Sequence, residues 1–297
     1  MASSARRLET NVPGDFFVDA SCIDCDTCRW MAPATFDRAG EHSRVHRQPD
    51  SPADRAAAER ALIACPTGSI GTETKHDLGP ARRAFPFPIA PEVPDVFHCG
   101  WHAESSFGAA SYLVTRPPER GGNVLIDSPR WSRPLAERIT ELGGVATLFL
   151  THGDDLADQA RWAEHFGARR VMHAGDAPEV EIEQRIEGLE PVALDPELRL
   201  VPTPGHTRGS ACLIYRDTYL FSGDHVAFSE SRGHVYAFRT ACWYSWPVQI
   251  ESMERLAREP FEWILPGHGR RCRFRPDEMR AQMQRCLAWM RAGTEGA

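Results

Sequence analysis

Cys22-Ile23-Asp24-Cys25-Asp26-Thr27-Cys28 places three thiols two residues apart on one short stretch, and Cys65-Pro66 supplies a fourth much later. Thiolates hold iron–sulfur clusters, so three on a tight loop can take three corners of a cubane, with the fourth cysteine brought in from a distance. Zinc also uses C-x2-C spacing, but zinc knots pair two such units. A second set of candidates stands further on. Thr151-His152-Gly153-Asp154-Asp155-Leu156-Ala157-Asp158-Gln159 releases one imidazole and three carboxylates, and Thr203-Pro204-Gly205-His206, Ser222-Gly223-Asp224 and Pro266-Gly267-His268-Gly269 follow. Imidazole and carboxylate are the ligands of zinc or iron. His152, His206, Asp224 and His268 each adjoin a glycine, whose freedom lets the chain turn sharply and project its neighbour.

These side chains need elements to carry them. Asp15–Ser21 reads as a short strand delivering the cysteine loop. Ser51, Pro52 and Asp54 form a helix start, and that helix leads to Cys65. Further on, 96–98, 110–115, 123–126, 145–150, 170–173, 198–201, 211–215, 218–221 and 261–265 read as strands. Helices are expected after Ser132, through Trp162, His165 and Phe166, over about 247–258, and from Pro276 to Arg291 with Met279, Met283 and Leu287 on one face. Strands interleave with helices, so the class is α/β. Residues 76–94 hold five prolines and little periodicity, which predicts a semi-rigid spacer. The expected division is therefore 10–75, a linker 76–94, a large domain 95–275, and a C-terminal helix and tail 276–297.

The first unit resembles single-cluster bacterial-type ferredoxins through Cys22, Cys25, Cys28, Cys65-Pro66 and the following Thr67-Gly68-Ser69-Ile70. The usual second cysteine set is missing, so the resemblance implies one [4Fe-4S] cluster held by those four cysteines and a small α+β ferredoxin-like domain. The large unit, over about 95–272, is similar to the metallo-β-lactamase superfamily. That resemblance implies an αββα sandwich with a mono- or dinuclear Fe or Zn site at one sheet edge, where the counterpart of Asp224 bridges two metals. The family pattern T-H-x-H-x-D-H is not kept. Aligned from its left end, Asp154 replaces the second histidine; aligned from its right, Asp158 keeps the aspartate and Gln159 replaces the last histidine. A helix starting near Asp155 would put Asp154 and Asp158 one turn apart on one face, so both are expected at the metal. The expected ligands are His152, Asp154, Asp158, His206, Asp224 and His268, with Asp224 and Asp158 the carboxylates that serve catalysis.

Other residues carry weaker expectations. His173 suits packing or a supporting hydrogen bond, and His98, His102, His225 and His234 are pocket candidates. Cys99, Cys212, Cys242, Cys272 and Cys286 read as small buried hydrophobes. Tyr236, Phe238, Trp243, Tyr244 and Trp246 belong to the core or wall a pocket.

Composition bounds the function. A net charge of −7 over 297 residues argues against nucleic acid and against an anionic membrane surface. No apolar run approaches the roughly 18 residues of a membrane span, and no apolar segment follows Arg6-Arg7 as in a secretory signal. A cytoplasmic protein acting on a small molecule is expected. Three functions fit. A cluster on the same chain suggests redox work, in the manner of flavodiiron proteins, with an electron-donating reductase as partner. Hydrolysis of an ester or thioester, in the manner of hydroxyacylglutathione hydrolases, needs only the metal. A non-catalytic redox sensor or electron carrier is the third.

Overall fold

The computed structural model describes residues 2–177 and 181–292, so the last five residues of the expected tail lie outside it. Two β-sheets lie face to face with helices outside both. One has seven strands, in the order Gln184–Ile186, Arg169–His173, Thr147–Leu150, Val124–Ile126, Tyr112–Val114, Val96–His98 and Phe87–Pro88. The other has six, in the order Val192–Asp195, Leu198–Pro202, Ala211–Tyr215, Tyr219–Gly223, Trp263–Pro266 and Cys272–Arg273.

Alternation along each strand assigns its side chains to two cores. Phe149 points between the sheets with Tyr112, Ile126, Val171, Leu213, Phe221 and Leu265. Its neighbours Leu148 and Leu150 point outward against Leu135, Ile139 and Trp162 of the helices. Thr147–Leu150 is therefore apolar on both faces, as a strand covered on both sides must be. On the far face of the second sheet, Ile214, Leu220 and Ile264 meet Met253 and Leu256 of one helix and Met279, Met283 and Leu287 of the last. This is an αββα sandwich.

The first unit has its own small core of Phe16, Val18, Phe36, Val45, Ala58, Ala61 and Ile70. Strand Phe16–Val18 pairs antiparallel with Ile70–Thr72. Helix Pro52–Ala64 starts where expected, Ser51 Oγ accepting from the Asp54 amide at 3.0 Å.

Residues 76–94 differ from the expected spacer. Gly79–Arg83 is a helical turn, Phe87–Pro88 is the edge strand paired with Val96–His98, and Phe85, Ile89 and Val93 are buried. The prolines are tolerated because an edge strand and a helix start do not need every N–H. Ile63 and Ala64, at the end of the first unit's helix, share one core with Phe85, Leu135 and Trp162. The two units are packed together rather than tethered.

Candidate metal centre

Each strand end delivers one side chain. Beyond Thr147–Leu150, Thr151 receives two bonds' worth of restraint from Asp127, whose carboxylate accepts from the Thr151 amide at 2.8 Å and from its hydroxyl at 3.0 Å. That hydroxyl lies 2.9 Å from His152 Nδ1. With its only proton given to Asp127, it must accept from Nδ1–H, which leaves Nε2 of His152 bare. Nε2 is buried and has no hydrogen-bond partner among the described residues. Burial pushes the His152 pKa down to about 4, so the ring is neutral at pH 7.

His206 leaves the turn after Leu198–Pro202. Its Nε2 lies 3.3 Å from Asp154 Oδ2 and 3.8 Å from Asp224 Oδ2, yet among the described residues neither ring nitrogen has a hydrogen-bond partner. Gly205 is required there, because a Cβ would stand 2.3 Å from Gln249 Cβ and its φ is +147°. Asp224 is central. Its carboxylate accepts from His268 Nδ1 at 2.8 Å and lies 3.9 Å from His152 Nε2. Burial opposes ionisation of Asp224, but the imidazoles of His268, His152 and His206 outweigh it and hold the carboxyl low. The same attraction overcomes burial at His268 and lifts its pKa to about 10.

Two expected ligands stand outside the closest groupings: His268 joins them through its bond to Asp224, and Asp158 lies apart. Asp158 is not among the gathered groups: its carboxylate accepts from the Trp131 amide at 2.6 Å. Gly153–Asp155 forms a 3-10 turn, Ala157 takes φ +37°, and the α-helix begins only at Gln159. Asp154 and Asp158 therefore do not share a helix face, and Asp155 turns inward instead. Asp155 is 1% exposed, its Oδ2 lies 3.8 Å from His152 Nε2, and neither oxygen has a hydrogen-bond partner among the described residues. Burial raises its pKa well above the carboxylate range.

Two overlapping sets result, His152 with Asp154 and His206, and His152 with Asp155 and Asp224, their ligand atoms all within 4.8 Å of one another in each set. Buried, unpartnered imidazole nitrogens beside unpartnered carboxylate oxygens fit a divalent cation, because such groups are costly unless a charge satisfies them. Gly267 keeps the space clear, since a Cβ would stand 2.9 Å from Asp155 Oδ2 and 3.0 Å from Asp224 Oδ1. Gln159 is buried and turned to Arg170. His173 bonds Gly175 and the Gly188 carbonyl, a turn-holding role. His225 is buried beside Gln249, and His234 lies near Trp289.

The four cysteines line one small cavity with Thr27, Ser43 and Ser69. Asp24 and Asp26 take φ of +58° and +68°, which turn the loop back on itself; aspartate tolerates that region better than most residues. Arg29 holds both carboxylates. Pro66 ends the helix that positions Cys65. Burial pushes the Cys25 thiol up to about 11.

The two sites are neighbours. Gly108 lies so close to Cys25 that a Cβ there would stand 3.1 Å from Sγ, and its φ is +87°. The Gly108 carbonyl accepts from His102 Nδ1 at 2.6 Å, and His102 is in turn hydrogen-bonded to His98 at 2.7 Å. The preceding carbonyl, of Phe107, accepts from His268 Nε2 at 3.4 Å. Arg270 and Arg271, just past His268, reach Asp26 (3.2 Å) and the face of Trp30 (5.2 Å) on the cysteine-loop side. A cleft of about 1150 Å³ is lined by Cys25 on one side and by His206, Asp224 and His268 on the other. Tyr236, Phe238 and Trp243 also line it, whereas Trp246 packs beneath the last helix and bonds Met290.

The αββα sandwich is similar in fold to solved metallo-β-lactamase structures, and the unit packed on it is of ferredoxin type. Residues 18–72 match the family described as the 4Fe-4S single cluster domain of ferredoxin I. Among solved structures, the chain is similar to ETHE1 from Myxococcus xanthus, with 18% identity and a TM-score of 0.47 over 65% of this chain and 84% of that one. It is similar to the metallo-β-lactamase family protein TTHA1429 from Thermus thermophilus, with 19% identity and a TM-score of 0.46 over 62% and 75%. TTHA1623, solved in a di-iron-bound form, gives 21% identity and a TM-score of 0.46 over 64% and 94%. No curated protein matches the chain.

Proposed function

We propose that the chain is a metal-dependent oxidoreductase. In this reading Cys22, Cys25, Cys28 and Cys65 hold one [4Fe-4S] cluster, and His152, Asp154, Asp155, His206, Asp224 and His268 hold one or two iron ions. The observation that carries it is the Phe107–Gly108 backbone, which leaves no room for a side chain beside Cys25 at one end and accepts a hydrogen bond from the His268 imidazole at the other. Hydrolysis at the second site needs only the metal, whereas redox chemistry uses a cluster beside it. Three carboxylates beside three imidazoles also make an oxygen-rich donor set, which suits iron better than zinc. When bound, the two groups supply one-electron storage and one-electron exchange with a substrate.

The chain's residues do the rest. Asp127 and Thr151 orient His152 and set its tautomer, a support that fixes ligand geometry. Thr27, His98 and His102 hold the Gly108 carbonyl and hence the bridging backbone. Asp26, Arg270, Trp30 and Arg271 clamp the cysteine loop to the loop that carries His268. In this reading the backbone of Phe107–Gly108, and not the aromatic side chains of Trp243, Tyr244 and Trp246, joins the two ends. With the groups bound, an external one-electron reductase would be the electron source at the cysteine end, and the substrate would be the acceptor at the histidine end.

The test is anaerobic reduction by a viologen donor of wild type and Cys25→Ser, with metal bound at the histidines quantified in both. Wild type is expected to pass electrons to the second centre, and Cys25→Ser to lose that transfer while keeping the metal. Equal reduction of the second centre in both proteins would overturn the proposal. So would full cleavage of esters or thioesters by cluster-free protein, which is the hydrolase outcome.

A further inference from the structure

Five large apolar side chains stand exposed among the described residues, and two of them line the metal-site cleft. Phe107 is 55% exposed and Trp243 is 67% exposed. Each stands beside one of the gathered histidines: the Phe107 ring lies 6.1 Å from the His268 ring, and the Trp243 ring 6.3 Å from that of His206. Phe107 is also held at φ +48°, a region that an aromatic L-residue enters only when its surroundings impose it. The imposing contacts are its amide on the Glu104 carbonyl and its own carbonyl beneath His268. Trp243 is fixed through its amide, which donates to the His206 carbonyl at 2.8 Å. Both aromatic side chains are thus anchored by backbone bonds to the site while their faces stay open.

Charge narrows what can lie against them. Seven carboxylates and three guanidiniums line the cleft. None of the three guanidiniums is free: Arg29 pairs with Asp24 and Asp26, Arg38 with Asp24, and Arg270 with Asp26 and Glu230. A polyanion such as a nucleotide or a coenzyme A thioester would find no unpaired guanidinium among the lining residues to hold its phosphates.

We propose that this site takes an uncharged or cationic small molecule with a planar apolar ring. Its ring packs on Phe107 and Trp243, and its reacting polar end lies among His206, Asp224 and His268. The inference rests on the metal site of the proposed function and adds the class of substrate. Aromatic surfaces bind rings through buried area and face or edge contacts, which a methyl group of the same polarity cannot match.

The test holds the metal-binding end constant and varies the tail. Full-length protein loaded with cluster and iron is titrated by calorimetry with benzohydroxamate, acetohydroxamate and 4-sulfobenzohydroxamate. Benzohydroxamate is expected to bind at least about tenfold more tightly than acetohydroxamate. Phe107→Ala and Trp243→Ala should each reduce that ratio, and the ring sulfonate should cancel the gain. Trp243 is largely exposed, so its variant keeps the inference testable if Phe107→Ala folds badly. Equal binding of the two uncharged hydroxamates, or an aryl preference untouched by Trp243→Ala, overturns the substrate class while the metal site stands. Failure of both to bind, with no metal retained at the histidines, overturns the metal site and the substrate class together.

Discussion

At the scale of single residues, Asp155 and Asp158 separate two kinds of carboxylate. Asp155 is buried with bare oxygens beside His152, whereas Asp158 spends its charge on the Trp131 amide. Asp155→Asn should therefore lower metal content while leaving the fold intact, since it removes an unsatisfied acid. Asp158→Asn should keep the metal and lose about 1–3 kcal/mol of stability, the cost of weakening a charge-assisted bond to a backbone N–H. Metal analysis and urea unfolding on the two variants check both statements; a loss of metal in Asp158→Asn alone would restore the first expectation. His152, His206, His268, Asp154 and Asp224 each sit beside a glycine near a strand end, which is the signal that singles them out in the sequence. Asp155 was not legible, since helical spacing was extended through a segment that makes a 3-10 turn. Asp127 was visible as a strand end, but its role depends on Thr151, which only the paired strands Val124–Ile126 and Thr147–Leu150 bring to it.

At the scale of elements, the segment 76–94 shows how composition can mislead. Five prolines read as a spacer, yet Phe85, Ile89 and Val93 recur every four residues and all are buried. Phe85→Ala should cost about 3–5 kcal/mol in a denaturant titration, as for a large aromatic removed from a core. In a solvated spacer the change would be negligible. The same segment begins with His76, whose Nε2 and Nδ1 lie 2.6 Å from Asp15 and 2.8 Å from Glu59 of the first unit. Burial opposes protonation of His76, but these two carboxylates outweigh it and raise the pKa. A raised histidine contributes stability that is complete below its unfolded value of about 6.5 and fades as pH rises through the folded value. The thermal midpoint of wild type minus that of His76→Gln should thus be larger at pH 5.5 than at pH 9. A difference that grows with pH would contradict the assignment.

At the scale of the molecule, two resemblances were legible and their union was not. Nothing in the spacing of Cys65 and Pro94 says that Ile63 and Ala64 enter the core of Leu135 and Trp162. A fragment spanning 95–292 loses those side chains, Phe85, and the edge strand Phe87–Pro88. It should melt at least about 4 °C lower than the full chain and self-associate through the uncovered face, as calorimetry and light scattering would show. A fragment as stable and monomeric as the parent would mean that the shared core contributes little. Among the described residues, no helix is long and apolar enough to cross a membrane.

The clamp formed by Asp26 with Arg270 and Trp30 with Arg271 also fixes the molecularity of any exchange between the two ends of the cleft. Partners held in one chain at one separation react in a first-order step, so that rate is indifferent to protein concentration. Delivery from a separate donor is a collision, second order and sensitive to ionic strength through the charges on both surfaces. Diluting the protein and its donor should therefore slow the filling of the cysteine end while leaving the passage onward unchanged.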